Sequence, residues 1–418
     1  MTSFSLQNFG CRVNQAEAFA WAEEFQRRGL TLEKNPGRGD LVIVNTCTLT
    51  GRADRDVRRF IRTVGRENPA ARVVVTGCLA DRARLELEGL ADIWRFIPNS
   101  QKADLPALVL GPAETGAEAA VPVEVEPFRS RALLKIQHGC DFRCTFCVIP
   151  GVRGRSMSLP PRTVVERLRA LAGRGFREVV LTGIHLCSYG RDLRPSWGLA
   201  ELLAKAEEAG LPLRLRLSSL DPRALDETLV RAMTTSSAVC PHFHLSLQHG
   251  SERLLGRMGR RGGASMYKAI LGGLRDRSPQ AALGADIIVG FPGESEGDFE
   301  ETRQFLEGSP LTYLHVFSYS PRPGTPAASW PQVPSQVIKE RAAALRRISA
   351  AKNLAFRRGF IGREMEAVVV KRAGGVLHFL TANYLSLTAP ANGRPSPAPA
   401  KILVTEETDG KLRGVVVS

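Results

Sequence analysis

The apolar positions of the first hundred residues change their period repeatedly. Residues 3–9 read as a strand. Residues 15–28 carry Ala18, Phe19, Trp21, Ala22 and Phe25 at helical spacing. Residues 41–44 form a short apolar strand, 53–66 a basic helix and 72–76 another strand. Strand–helix–strand alternation of this kind predicts an open, mostly parallel sheet. Each of three strands is followed at once by a cysteine: Cys11, Cys47 and Cys78. Ligands of such sheets sit at the carboxyl ends of the strands, so three cysteines far apart in the chain are placed to converge.

Residues 111–127 are acidic, rich in Ala and Pro, and lack amphipathic period, which predicts a linker. A longer alternation begins at Leu133, with strands expected at 133–137, 178–181, 214–217, 243–247, 285–289 and 314–317. Helical stretches at 163–174, 199–209, 222–233 and 296–306 separate them. Six such βα units predict a partial (β/α)6 TIM-like barrel, with chemistry at the C-terminal strand ends. A basic helix follows at 339–363, then short strands at 365–370, 376–381, 386–389 and 401–405 between Gly and Pro turns, a small all-β, OB-like unit. The expected class is therefore α/β: an N-terminal parallel-sheet domain (1–110), a linker (111–130), a barrel (131–355) and a β unit (356–418).

Composition narrows the function. With 43% apolar residues among 418, the chain is not disordered as a whole. No apolar run approaches the roughly 18–20 residues that cross a bilayer, so no membrane partner is expected. The start lacks a basic segment leading into an apolar one, so a cytoplasmic location is expected. The net charge of +15 is carried largely by Arg, which suits a polyanion, although a GC-rich genome would also raise Arg. Eight cysteines in such a chain point to metal ligands or buried thiols rather than disulfides.

The sharpest pattern is His138-Gly-Cys-Asp-Phe-Arg-Cys-Thr-Phe-Cys147, in which Cys140, Cys144 and Cys147 form C-x3-C-x2-C just after the first barrel strand. Structural zinc takes four ligands, commonly as two pairs, and no second C-x2-C pair is present. Three soft thiolates on one loop suit three irons of a [4Fe–4S] cube and leave the fourth iron open. Zinc remains the alternative. The loop closely resembles the hallmark of the radical S-adenosylmethionine (SAM) superfamily. The resemblance implies that the open iron chelates SAM and that the reduced cluster cleaves it to a 5′-deoxyadenosyl radical. Phe146 stands where that family contacts the adenine, and core packing is its other reading. Asp286-Ile-Ile-Val-Gly-Phe-Pro-Gly-Glu294 resembles the adenine-side motif. Candidate SAM contacts are Phe146, Thr182, Gly183, Ser218, Gln248 and Gly290, all but the first at expected strand ends.

The earlier cysteines lie in Asn8-Phe-Gly-Cys-Arg-Val-Asn14, Val44-Asn-Thr-Cys-Thr-Leu-Thr50 and Val75-Thr-Gly-Cys-Leu-Ala80. One trio preceding a radical SAM trio resembles the methylthiotransferase family over essentially the whole chain, its C-terminal β domain being called TRAM. The resemblance implies an auxiliary [4Fe–4S] cluster on Cys11, Cys47 and Cys78, whose open iron holds sulfide or a sulfur chain. One SAM methylates that sulfur. A second SAM, on the Cys140/Cys144/Cys147 cluster, supplies the radical that removes hydrogen from an unactivated carbon. No catalytic side chain beyond the cluster ligands is implied. Gly10-Cys-Arg-Val-Asn-Gln15, Leu215-Arg-Leu-Ser-Ser-Leu220, His242-Phe-His-Leu-Ser-Leu-Gln248 and Leu314-His-Val-Phe-Ser-Tyr-Ser-Pro-Arg-Pro-Gly-Thr325 are similar to the subgroup acting at C2 of N6-threonylcarbamoyladenosine in tRNA. Its sister subgroup acts on N6-isopentenyladenosine, and another branch acts on a ribosomal-protein aspartate. A zinc-stabilised RNA-binding protein without catalysis is the alternative of another class.

The implied partners are a tRNA anticodon stem-loop, an electron donor such as a flavodoxin or ferredoxin, and a sulfur source. Cys187 stands where the family often has Gly, and His249 where it often has Ser; neither these nor Cys240 receives a role. Leu380-Thr-Ala-Asn-Tyr-Leu385 matches a TRAM strand, whereas 389–400 is Pro-rich. Arg52, Arg55, Arg58, Arg59, Arg62 and Arg66 either contact RNA or form a solvated helix with Asp54 and Asp56 as i, i+4 partners. The same choice applies to 339–363.

Overall fold

Hydrophobic burial on two sides organises the first sheet. The computed structural model describes residues 1–35, 37–112, 130–391, 399–408 and 410–417, so most of the expected linker, 113–129, lies outside the described residues. The chain divides into two units. The first comprises residues 1–125, 139–155 and 320–328, and the second the remainder.

In the first unit, β1 (Ser3–Asn8), β2 (Thr31–Leu32), β3 (Leu41–Thr46), β4 (Arg72–Gly77) and β5 (Arg95–Ile97) pair in the order β2-β1-β3-β4-β5, all parallel. β3 is buried at all six positions because its alternate residues enter two different cores. Leu41 and Ile43 meet Trp21 and Phe25 of the helix Arg12–Arg27, while Val42 and Val44 meet Val57, Ile61 and Val64 of the helix Gly51–Glu67. A strand covered on both faces reads as a continuous apolar run, as this one does. The first helix starts directly after Cys11, three residues earlier than its apolar period announces. β2 and β5 are too short to show any period.

In the second unit, β6 (Arg131–Lys135) is followed by an antiparallel pair, β7 (Gln137–His138) with β8 (Met157–Ser158). Then come β9 (Glu178–Thr182), β10 (Arg214–Leu217), β11 (His242–Gln248), β12 (Ala282–Val289) and β13 (Tyr313–Ser318). Parallel pairing runs β6-β9-β10 and β11-β12-β13, and the bridges Leu215–Val239 and Leu220–Leu245 join the two sets in parallel. The result is the expected six-stranded open barrel. The expected helix at 222–233 is instead a 3-10 turn, Pro222–Ala224, and a helix, Glu227–Thr235. Two aspartates break it: Asp221 accepts from Arg223 N and Asp226 from Leu229 N, each starting its own turn.

The helix Ser335–Arg358 lies against the outer edge of β13, where Ser349 Oγ accepts from Leu314 N at 2.8 Å. It begins four residues before its basic period does and stops at Gly359. β14 (Glu364–Ala373), β15 (Val376–Thr381), β16 (Ser386–Pro390), β17 (Ala400–Thr408) and β18 (Lys411–Val416) then close a small barrel in the order β14-β15-β16-β18-β17. Residues 392–398 of the Pro-rich stretch lie outside the described residues.

The turn between β15 and β16 seats itself at the N-terminal end of the large barrel. Tyr384 stacks on His242 with ring centroids 4.1 Å apart, and Arg216 donates to Thr381 O and Ala382 O at 3.1 and 2.9 Å. Arg216 is fully buried and also donates through Nε and Nη2 to the two oxygens of Glu178 at 2.8 and 2.7 Å. Burial alone would raise the Glu178 pKa, but the Arg216 hydrogen bonds and charge outweigh it and hold the carboxyl at about 2.

Candidate functional site

Adjacent parallel strands carry the first cysteine trio to one edge. β1, β3 and β4 are neighbours and end at Asn8, Thr46 and Gly77, so Cys11, Cys47 and Cys78 all lie just beyond the C-terminal edge of one sheet. Side chains tie these strand ends together. Asn14 Nδ2 donates to Phe9 O and Thr46 O at 2.8 and 2.9 Å, and Thr46 Oγ1 donates to Thr76 O at 2.7 Å. Leu79 N and Ala80 N donate in turn to Thr46 Oγ1. Gly10, at φ +100°, lets the backbone pass close against Cys47: a Cβ there would run into Cβ and Sγ of that cysteine. Burial, reinforced by the nearby Cys11 and Cys78 charges, pushes the Cys47 thiol up to about 12. No disulfide involves any of the eight cysteines.

The second trio belongs to the same unit. Cys140 and Cys147 are held by turns, through Cys140 N to Gly154 O and Cys147 N to Cys144 O, both at 3.1 Å. Gly139, at φ +68°, passes so close to Arg155 O that a side chain there would collide with it. Burial, with Cys144 and Cys140 adding to it, pushes Cys147 up to about 12. Phe146 is half-buried in the turn between the last two cysteines.

A charged array that sequence reasoning missed lies beside Cys78. Arg153 ends the short helix Ile149–Arg153, and its side chain is completely buried. Its Nε donates to Cys78 Sγ at 3.2 Å, its Nη1 to Glu17 Oε1 at 3.2 Å and its Nη2 to Asn14 Oδ1. Lys102, also buried, pairs with Glu17 Oε2 at 2.5 Å, and burial lowers its pKa. Two cationic side chains thus face one carboxylate beside Cys78. In sequence Arg153 is one of many arginines; nothing local marks it as buried.

The other SAM candidates stand at C-terminal strand ends of the barrel. Thr182 and Ser218 fall on the same alternate positions as Glu178 and Arg216, which face the lumen. Ser218 Oγ and Ser219 Oγ are buried without hydrogen-bond partners among the described residues, an arrangement that calls for a ligand. Gln248 ends β11 at φ +73°, a conformation rare for a residue with a side chain. Gly290 follows β12 at φ +75°, where Gly290 N and Phe291 N donate to Glu294 Oε2. Gly183 is explained by packing, since a Cβ there would sit 2.8 Å from Gln137 Oε1. Three residues without an expected role pack internally. Cys187 is buried, with its thiol pushed up to about 12 by that burial. Cys240 Sγ lies 3.7 Å from Glu178 Oε2. His249 Nδ1 accepts from Ser251 N at 3.1 Å.

The basic helix resolves mostly toward ion pairing. Arg58 pairs with Glu86, Arg52 and Arg59 with Asp56, and Arg66 with Glu67. Asp54 turns inward instead and holds Arg82 and Arg322 at 2.7 and 2.8 Å.

Compared with known proteins, residues 134–306 match the Radical SAM superfamily and residues 3–97 the Uncharacterized protein family UPF0004. Threonylcarbamoyladenosine tRNA methylthiotransferase MtaB of Aquifex aeolicus is 34% identical over 92% of this chain and 95% of its own. The MtaB of Rickettsia prowazekii is 36% identical over 86% of each chain. The tRNA-2-methylthio-N(6)-dimethylallyladenosine synthase of Maricaulis maris is 33% identical over 89% of this chain and 88% of its own. Among solved structures, the radical SAM methyltransferase TsrM of Kitasatospora setae shares the fold, with a TM-score of 0.56 at 14% identity over 78% of this chain and 75% of that one. Radical SAM membership brings with it SAM and a [4Fe–4S] cluster. With identities above 30% sustained along nearly the full length of both partners, the chain belongs to the MtaB-like family of radical SAM methylthiotransferases.

Proposed function

We propose that the protein inserts a methylthio group at C2 of N6-threonylcarbamoyladenosine beside the anticodon of tRNA; relatives named threonylcarbamoyladenosine tRNA methylthiotransferase support the nucleoside and the group transferred. The observation that carries this reading is the convergence of Cys11, Cys47 and Cys78 at one sheet edge, in addition to the Cys140/Cys144/Cys147 loop. A plain radical SAM enzyme needs only the second trio. The residues fit two [4Fe–4S] clusters, because each trio supplies three thiols outside any disulfide, the missing side chain at Gly10 leaves Cys47 its place, and Arg153 donates to Cys78 Sγ.

Cys140, Cys144 and Cys147 would hold the cluster that binds SAM, and Cys11, Cys47 and Cys78 the auxiliary one. When bound, these groups supply the 5′-deoxyadenosyl radical and the sulfur to be transferred. The chain does the rest. Its thiols give up protons as metal binds, which for Cys47 and Cys147 means overcoming burial. Ser218, Thr182, Gln248 and the Gly290 backbone line the C-terminal mouth of the barrel as SAM contacts, and Phe146 serves the adenine. Basic side chains of the helix Ser335–Arg358 hold tRNA phosphates. An electron donor such as a flavodoxin or ferredoxin and a sulfur source complete the requirements, and a tRNA partner is in keeping with a cytoplasmic location.

The test is mass spectrometry of tRNA nucleosides from a strain lacking the gene. Loss of the 2-methylthio form of N6-threonylcarbamoyladenosine, restored by the wild type but not by Cys47→Ala, is the expected result. Loss of the dimethylallyl counterpart instead would assign the activity of the Maricaulis relative, and normal tRNA would point to a protein substrate.

A further inference from the structure

The inward face of β11, β12 and β13 carries a polar constellation that neither cluster binding nor SAM binding uses. His244 Nε2 donates to Asp286 Oδ1 at 2.9 Å, and His315 Nδ1 lies 3.4 Å from the same oxygen. The three residues occupy the middle of adjacent strands, with Asp286 directly opposite His315 in register. Tyr313 Oη lies 2.9 Å from His244 Nδ1 and 2.8 Å from His242 Nε2. A phenol has one proton, so it donates to one imidazole and accepts from the other, which fixes the ring orientation and tautomer of His244. Burial would raise the Asp286 pKa, but the hydrogen bonds from His244 and His315 outweigh it and keep the group a carboxylate.

Two hydrogen-bonding positions remain unengaged among the described residues, Asp286 Oδ2 and His315 Nε2. His315 is half-exposed and, with Tyr313, lines a cavity of about 1240 Å³. Arg346, Arg357, Lys411 and Arg413 line the same cavity; Arg357 pairs with Glu407 and Arg413 with Glu406, and the positive charge left on Arg346 and Lys411 favours an anion. The constellation therefore offers two acceptors for N–H or O–H groups, the free Asp286 oxygen and the imidazole Nε2 of a ring that donates to Asp286 through Nδ1, on a rigid base. A hydrocarbon substituent would desolvate both positions and satisfy neither.

Building on the function proposed above, we infer that Asp286, His244 and His315 form the seat for the polar N6 substituent of the target adenosine. Asp286 Oδ2 accepts from its urea hydrogens, and His315 Nε2, on a ring that donates to Asp286 through Nδ1, accepts its hydroxyl hydrogen. The seat thereby selects an amino-acid-bearing adenosine over a dimethylallyl one. Sites built to bond a polar group reject analogues that lack it far more strongly than apolar pockets reject an extra group. His244 acts through Asp286 as a positioning residue.

The test uses full-length reconstituted protein and two anticodon stem-loop RNAs that differ only in carrying threonylcarbamoyl or dimethylallyl on the target nitrogen. Dissociation constants and kcat/KM are measured for both. Wild type is expected to favour the threonylcarbamoyl RNA. Asp286→Asn and His315→Gln are expected to weaken that RNA by about 10- to 100-fold while leaving dimethylallyl binding unchanged. Replacing the substituent hydroxyl by hydrogen should weaken wild type to the level of His315→Gln and leave that variant unaffected. Unchanged iron content and circular dichroism show that the variants fold. If wild type modifies the threonylcarbamoyl RNA and both variants keep its full preference, the inference fails alone. If wild type modifies neither RNA, the proposed function fails, and the inference with it.

Discussion

Replacing Arg153 by Met would remove a charge while keeping most of the volume. The guanidinium has no exposed surface and serves three acceptors: Cys78 Sγ, Glu17 Oε1 and Asn14 Oδ1. In the variant Glu17, itself 3% exposed, loses that cation and keeps its contact with Lys102. Stripping one partner from a buried ion pair costs about 3–5 kcal/mol. The surviving Lys102–Glu17 contact at 2.5 Å places the expectation near the lower end, about 3 kcal/mol. At about 1.4 kcal/mol per factor of ten, the local opening constant rises by about two decades. Native-state hydrogen exchange of metal-free protein reads this directly. Peptides from the helix Arg12–Arg27 and from β4 should exchange about 100-fold faster, and those of the C-terminal five-stranded barrel at the wild-type rate. Arg153→Lys, which keeps the charge but cannot reach all three acceptors, should fall between. Wild-type protection in Arg153→Met would refute the reasoning, because it would mean that the array contributes no net stability.

Other expectations follow from the same kind of accounting. Glu178 has its pKa held at about 2 against an ordinary 4.5, so it contributes about 3 kcal/mol that is complete above pH 4.5 and is lost as pH falls from there toward 2. Glu178→Gln should lower the calorimetric transition of its unit at pH 7 and remove that acid dependence; a variant that melts like wild type at pH 7 would contradict the pair's role. Gly10→Ala, with its Cβ forced against Cys47 in a left-handed conformation, should cut iron incorporation at the first trio while leaving the second trio loaded, as read by iron analysis and electron paramagnetic resonance. Ser295 completes a capping box with Asp298, so Ser295→Ala should destabilise by about 1 kcal/mol in denaturant titrations. Affinity for tRNA should fall steeply between 50 and 200 mM salt, roughly as the number of phosphates contacted, and a flat salt profile would argue against phosphate binding.

Much of this architecture is legible before any coordinates. A change of hydrophobic period marks β3 and the helix Gly51–Glu67, which bury both faces and one face respectively, and also all six barrel strands. The cysteines are legible because chemistry limits what three thiols after three strands can do. Arg153 is not, because its burial depends on packing within a unit assembled from three separate segments, 1–125, 139–155 and 320–328. Nor is the break at 222–233, where Asp221 and Asp226 cap two turns inside one helical period. Within the lumen, His244 and His315 lie 71 residues apart, and only the strand register brings both to Asp286. β18 escapes notice because Gly414 interrupts a short edge-like pattern, yet that glycine is where Leu403 O comes too close for any side chain.

The seating of the β15–β16 turn against Arg216 and His242 has a consequence for biosynthesis. Residues near position 384 floor a chamber whose walls begin at position 131, so a ribosome releases the finished walls while their base is still open to water. Until the final strands emerge, the Glu178–Arg216 pair sits at high dielectric and binds weakly. Its full strength is a late, vectorial event, which makes the last few dozen codons a quality gate: a chain cut short there would present a wet, loosened chamber rather than an enzyme lacking one accessory module.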